Sequence, residues 1–146
     1  RIASAGSHGY GRVMRSRTAA GILIASLLAT ACGSDDNARI EGVEWQLRSI
    51  DGAEISGPVV PTLLLADGRA SGLAGCNRFT GTYTLENGSL VLGPLATTRM
   101  ACAPGIDDLE LAYLTALDRV TGITTKSDGL ALTDADSTDL LTYVAP

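Results

Sequence analysis

A mainly β domain, built as a small antiparallel β-barrel with one α-helix, is the fold class this sequence predicts. Three observations lead there. Apolar and polar residues alternate in short runs, tight-turn dipeptides recur between those runs, and a single stretch switches to helical spacing. With 146 residues the chain is long enough for one domain and offers no linker that would divide it into two.

The first run is Val43 to Ser49, where Val43, Trp45 and Leu47 alternate with Glu44, Gln46 and Arg48. Such a period of two is the mark of a strand with one buried face. Phe79 to Glu86 repeats the pattern: Phe79, Gly81, Tyr83 and Leu85 face one way, and Thr80, Thr82, Thr84 and Glu86 the other. Further strands are expected at 62–66, 69–73, 89–92, 122–127, 130–133 and 140–144. Between them stand Asp51-Gly52, Asp67-Gly68, Asn87-Gly88 and Asp128-Gly129. These pairs tolerate the positive φ angles of type I′ hairpin turns, which points to a meander. From about 105 to 121 the period changes, with Ile106, Leu109, Tyr113, Leu117 and Val120 on one helical face. Asp107 and Asp108 suit the positive end of the helix dipole, Arg119 suits the other end, and Gly122 is expected to close the helix. Seven or eight strands with one helix favour closure over an open sheet with bare edges.

The N-terminal part reads as an address. All sixteen acids follow Cys32, whereas Arg1, Arg12, Arg15 and Arg17 precede it. Met14 opens a basic segment, an apolar core from Ala19 to Leu28 and a run of small residues ending at a cysteine, which is the grammar of an export signal. Its core is half the length a membrane-spanning helix needs. Leu28-Ala29-Thr30-Ala31-Cys32 resembles the lipobox of bacterial lipoproteins, with Ala29 where leucine is usual. The resemblance implies acylation of Cys32 and attachment to a membrane. The expected organisation is therefore an over-extended N-terminus (1–13), a lipoprotein signal peptide (14–31), a lipidated cysteine with a flexible tether (32–42) and a domain (43–146). That places the protein in the cell envelope, on the inner or the outer membrane. From Cys32 onward seven basic residues face sixteen acidic ones, so nucleic acid is not an expected partner.

Cys76 and Cys102 remain. In an oxidising compartment such a pair is usually a disulfide, and closing a loop of about 27 residues would stabilise by roughly 3 to 4 kcal/mol. Two free thiols, or a metal pair short of ligands, are the other readings. With no histidine after His8 and no further thiol, neither a metal nor a cofactor is expected.

Around these cysteines lie Gly75-Cys76-Asn77-Arg78-Phe79-Thr80-Gly81-Thr82-Tyr83 and Thr98-Arg99-Met100-Ala101-Cys102. Together with Trp45-x-Leu47 and a helix bearing Glu110 and Tyr113, they resemble the two motifs of the META domain family, also called HslJ-like. The resemblance covers about Val43 to Val144. It implies a lipocalin-like topology and small secreted or lipid-anchored bacterial proteins associated with heat shock, antibiotic tolerance and, in some parasites, virulence. It brings no agreed biochemical activity.

The residues themselves suggest a structural corner. Gly75 and Gly81 permit close backbone approach or positive φ, Asn77 suits an Asx turn on its neighbouring backbone, Phe79 and Tyr83 point inward, and Met100 and Ala101 are expected to pack beside Cys102, with Thr98 opening that second motif. A binding role for Asn77 and Arg78 is the alternative. Catalysis has little support, because no Ser-His or Cys-His pairing, GxSxG, phosphate loop or HExxH is present in the body. Asp107 and Asp108 diverge by about 100° on a helix, which suits a solvated start better than paired acid-base chemistry. Asp134-x-Asp136-x-x-Asp139 lacks the glycine and glutamate of a calcium loop and reads as a polar turn. The expected function is a non-enzymatic, stress-associated structural or interaction module with an envelope protein as possible partner. Two alternatives stand beside it: a carrier of a small apolar ligand, and an inhibitor-type module that binds a secreted enzyme.

Overall fold

The computed structural model describes Asn37 and residues 39–146. The expected leader, the expected acylation site Cys32 and most of the expected tether lie outside the described residues. Ten strands run in chain order: β1 (Glu44–Ile50), β2 (Ala53–Glu54), β3 (Thr62–Ala66), β4 (Arg69–Leu73), β5 (Arg78–Glu86), β6 (Ser89–Leu92), β7 (Ala96–Thr97), β8 (Gly122–Lys126), β9 (Gly129–Thr133) and β10 (Asp139–Val144). The helix α1 (Ile106–Leu117) lies between β7 and β8. Every pairing is antiparallel, in the order β10-β9-β8-β6-β5-β4-β3-β1, and β10 returns to pair with β1. The strands thus close into a ring, with the two-residue strands β2 and β7 appended to β1 and β5.

Three hairpins behave as their dipeptides demand. Asp51-Gly52, Asp67-Gly68 and Asn87-Gly88 are two-residue loops in which both residues have positive φ. That is the type I′ signature, whose twist matches the strands it joins. Asp128-Gly129 departs from the expectation. Lys126 pairs with Gly129, so the loop is Ser127-Asp128, and neither residue has positive φ. Gly129 is a strand residue pressed against β10, where a Cβ would stand 1.8 Å from the Tyr143 carbonyl oxygen.

The ring encloses the side chains that alternation points inward. Trp45, Leu47, Leu63, Leu65, Phe79, Tyr83, Leu90, Leu130, Leu132 and Tyr143 are buried in one cluster, and α1 adds Tyr113, Ala116 and Leu117. Leu85 packs against this cluster only partly buried. Two hydroxyls meet inside: Tyr113 lies 3.0 Å from the Tyr143 hydroxyl and 3.1 Å from the Thr62 carbonyl oxygen. Burial raises both phenols above their ordinary pKa, because the charged form loses water.

Two boundaries move. Ile40, expected in the tether, is 3% exposed and belongs to the core. Its carbonyl accepts the Trp45 indole N–H at 2.9 Å, and the Gly42 N–H donates to Leu65 at 2.8 Å. An apolar side chain and an unpaired indole donor beside it make docking more favourable than a free coil. The helix ends at Leu117 rather than near 121. Arg119 and Val120 donate to carbonyls three residues back, a tightened final turn, and Thr121 is captured by the Thr133 carbonyl on β9. Gly122 therefore starts a strand, and Arg119 pairs at 3.4 Å with exposed Asp51. Among the described residues no helix is long and apolar enough to cross a membrane.

Candidate functional site

The two sequence motifs meet at one corner, where the loop between β4 and β5, the segment after β7 and the helix α1 converge. Residues 74 to 77 form a tight reversal, with the Ala74 N–H donating to the Asn77 carbonyl at 2.8 Å. Gly75 lies directly beneath α1: a Cβ there would stand 2.8 Å from Glu110 Cβ and 3.0 Å from the Ile106 carbonyl oxygen. Close approach, rather than positive φ, is what this glycine supplies. Gly81 plays the same part against Leu95, whose Cδ2 would be 2.6 Å from an added Cβ.

Asn77 is the hub, 4% exposed. Its Oδ1 accepts the Thr98 hydroxyl at 2.9 Å and the Met100 N–H at 2.7 Å. Its Nδ2 donates to Glu110 Oε1 at 2.9 Å and to the Met100 carbonyl at 3.2 Å. The Asn77 backbone N–H donates to Glu110 Oε2 at 2.8 Å. All four hydrogen-bonding positions of the side-chain amide are thus used, and the carboxylate is gripped through both oxygens. The expected Asx turn on neighbouring backbone is replaced by bonds to residues more than twenty positions away. Thr98 extends the clasp: its hydroxyl accepts the Arg78 N–H and its own N–H donates to the Arg78 carbonyl, both at 3.0 Å.

Cys76 and Cys102 form a disulfide across the same corner, with Cα atoms 5.7 Å apart. Asn77 Nδ2 stands 3.5 Å from one sulfur and 3.6 Å from the other. Both cysteines are half-buried. Met100 and Ala101 do not pack beside the disulfide as expected. Met100 is 61% exposed and Ala101 is also exposed, because this segment is held by its backbone groups and not by its side chains. Phe79 and Tyr83 point into the ring: Phe79 meets Tyr113 edge-on at 5.9 Å, and the Tyr83 hydroxyl donates to Glu41. Burial, with the Glu41 carboxylate beside it, pushes the Tyr83 phenol up to about 12.

Other sequence candidates stay apart from this corner. Asp107 Oδ1 accepts the N–H groups of Gly105 and Asp108 at 3.1 Å, in the first turn of the helix where the dipole favours its charge. Asp134 Oδ1 accepts those of Asp136 and Thr138 at 2.9 Å, while Asp139 pairs with Lys126 at 3.0 Å. That is the polar turn the spacing suggests. The exposed Arg78 side chain borders an open groove of about 380 Å³ with Phe79, Thr80 and Ala96 to Thr98.

The geometry corresponds to known proteins. The META domain family model matches residues 38–146. The chain belongs to the META domain family. It is 31% identical over 126 residues to heat shock protein HslJ of Escherichia coli K12, covering 81% of this chain and 88% of that protein. An NMR structure of a protein from Burkholderia xenovorans superposes with a TM-score of 0.60 at 31% identity, over 77% of this chain and 87% of that one. A second NMR structure gives 0.58 at 28% identity, over 73% and 92%. Glu110 is the site residue whose part the sequence hid. It lies in the segment that the family model matches, but only the fold brings its carboxylate to Asn77, 33 positions earlier in the chain.

Proposed function

We propose that this META domain protein is exported, lipid-anchored through Cys32, and serves the cell envelope as a non-enzymatic, stress-associated structural or interaction module. One observation carries the reading. The most distinctive polar residues, Asn77, Thr98 and Glu110, spend their hydrogen-bonding groups on one another and on backbone. A residue so engaged is a clasp, whereas a reacting group must be presented to a substrate. A disulfide beside the clasp suits an oxidising compartment outside the cytoplasm. The stress association is carried over from the name of the HslJ relative.

Two measurements on the full chain in a bacterial host test this. Globomycin, which blocks lipoprotein signal peptidase, is expected to leave a larger precursor, and the untreated protein is expected in the membrane fraction. Unchanged mobility, or recovery in the soluble fraction, overturns the anchor. Native mass spectrometry of the untreated protein is expected to show no bound small molecule inside the ring, since large side chains occupy it. A stoichiometric co-purifying apolar ligand would favour the carrier reading instead.

A further inference from the structure

We propose that reduction of the Cys76–Cys102 disulfide converts this corner into a zinc-class metal site, with Cys76 Sγ, Cys102 Sγ and Glu110 Oε2 as its side-chain ligands. The three atoms lie within 4.8 Å of one another. Glu110 Oε2 stands 3.9 Å from Cys102 Sγ, and the Met100 carbonyl oxygen stands 3.8 Å from each sulfur. In the oxidised chain these are plain contacts, because disulfide sulfurs carry no proton. They nevertheless approach the edges of a coordination tetrahedron. With bonds of about 2.3 Å to sulfur and about 2.1 Å to oxygen, neighbouring ligands stand roughly 3.6 to 3.8 Å apart. The two sulfurs must move apart, from bonding distance to about 3.8 Å, which is within reach of side-chain rotation. The Met100 carbonyl oxygen, equally distant from both sulfurs, is the candidate for the fourth position.

The surroundings suit metal-bound thiolates. Asn77 Nδ2 lies 3.5 and 3.6 Å from the sulfurs and donates to Glu110 Oε1, while the Asn77 N–H holds Oε2. One asparagine thereby orients the carboxylate and keeps its amide nitrogen beside both sulfurs, the supporting role that outer groups play around zinc. The sequence offers two thiols and no histidine at this corner; the fold supplies the missing carboxylate.

The chemistry balances with a dithiol reductant. Two electrons and two protons pass from the dithiol to the protein disulfide, giving two protein thiols and the reductant's own disulfide. Binding of one divalent ion then releases the two thiol protons. Metal and disulfide are mutually exclusive, so the corner stays cross-linked in either state. This inference is independent of lipid anchoring and of any partner.

The test uses the full chain in detergent, oxidised or reduced with a phosphine, titrated with Zn²⁺ and with Co²⁺ as a coloured probe. The reduced chain is expected to bind one equivalent, with sulfur-to-cobalt charge-transfer absorption, and to resist alkylation once zinc is bound. The oxidised chain is expected to bind none at this corner. Zinc-edge X-ray absorption of the unmutated chain should give two sulfur and two oxygen or nitrogen neighbours, and difference infrared spectra a shifted carboxylate band. Glu110→Gln, its sheet first verified by circular dichroism in the oxidised form, should weaken binding by at least roughly tenfold. The proposal is overturned by a reduced chain that takes up no metal, by a shell without two sulfurs, or by an unmoved carboxylate band. Unaltered affinity in a folded Glu110→Gln chain also overturns it.

Discussion

The Asn77 corner and the interior of the ring hold the same fold by opposite means. At the corner a disulfide and a buried amide join three segments that present little apolar surface, and Met100 leaves its side chain in water. Inside the ring, Leu63, Leu65, Leu90, Leu130 and Leu132 are fully or almost fully buried and need no directional bond. Hydrophobic packing tolerates exchange of similar volumes, whereas a satisfied amide with four partners tolerates almost no substitute. The difference explains why the corner of this chain carries distinctive residue types while its interior is written only as a period of two.

That contrast can be broken in graded steps. Loss of the cross-link, by Cys76→Ser with Cys102→Ser, should cost about 3.5 kcal/mol on the chain-entropy estimate for a separation of 26 residues. Chemical denaturation in metal-free buffer reads that loss, and a change below about 1 kcal/mol would show that the hydrogen bonds suffice without the bridge. Asn77→Ala removes the acceptor of the Met100 N–H and leaves Glu110 with one donor fewer, so a cost of about 3 kcal/mol is expected. Asn77→Asp, similar in shape but repelled by Glu110, should not rescue it; recovery at neutral pH would refute the amide's role as donor. In the interior, Tyr113→Phe deletes a hydroxyl and leaves the buried Tyr143 hydroxyl without its partner, and about 2 kcal/mol is expected.

Alkali should separate the two regions most gently. The Tyr83, Tyr113 and Tyr143 phenols all have raised pKa values in the fold. A raised folded pKa means that the neutral phenol is favoured by folding. Its contribution is complete below the unfolded value near 10 and declines as pH rises, through about 12 for Tyr83. Tyrosinate absorbance for these residues should therefore appear together with loss of the sheet's circular dichroism. Ionisation well before unfolding would contradict their burial.

Much of the ring was legible because its signals are local. Three dipeptides fixed their hairpins through positive φ, and alternation assigned the inward faces of β1 and β5. Asp128-Gly129 misled because glycine there answers to the neighbouring Tyr143 backbone, a contact set by register and not by turn chemistry. The two-residue strands β2 and β7 have no periodicity to detect, and Ile40 is a lone apolar residue in a polar stretch. At the corner the cysteine pair could be read from compartment logic. The Asn77–Glu110 contact could not, because it joins a loop to a helix by packing geometry alone.

The way the ring closes also sets an order in time. β1 pairs with β10, so that Gln46 lies opposite Val144 near the end of the chain, whereas β6 meets β8 through the single pair Ser89 and Gly122. A polypeptide emerging from its N-terminal end can form the hairpins from β3 to β6 early, since their partners are near in sequence. β1 must wait with one edge bare until the last strand is made. A circular permutation opened at the Ser127-Asp128 loop would not abolish that wait but hand it to β9, whose partner β8 would then be made last.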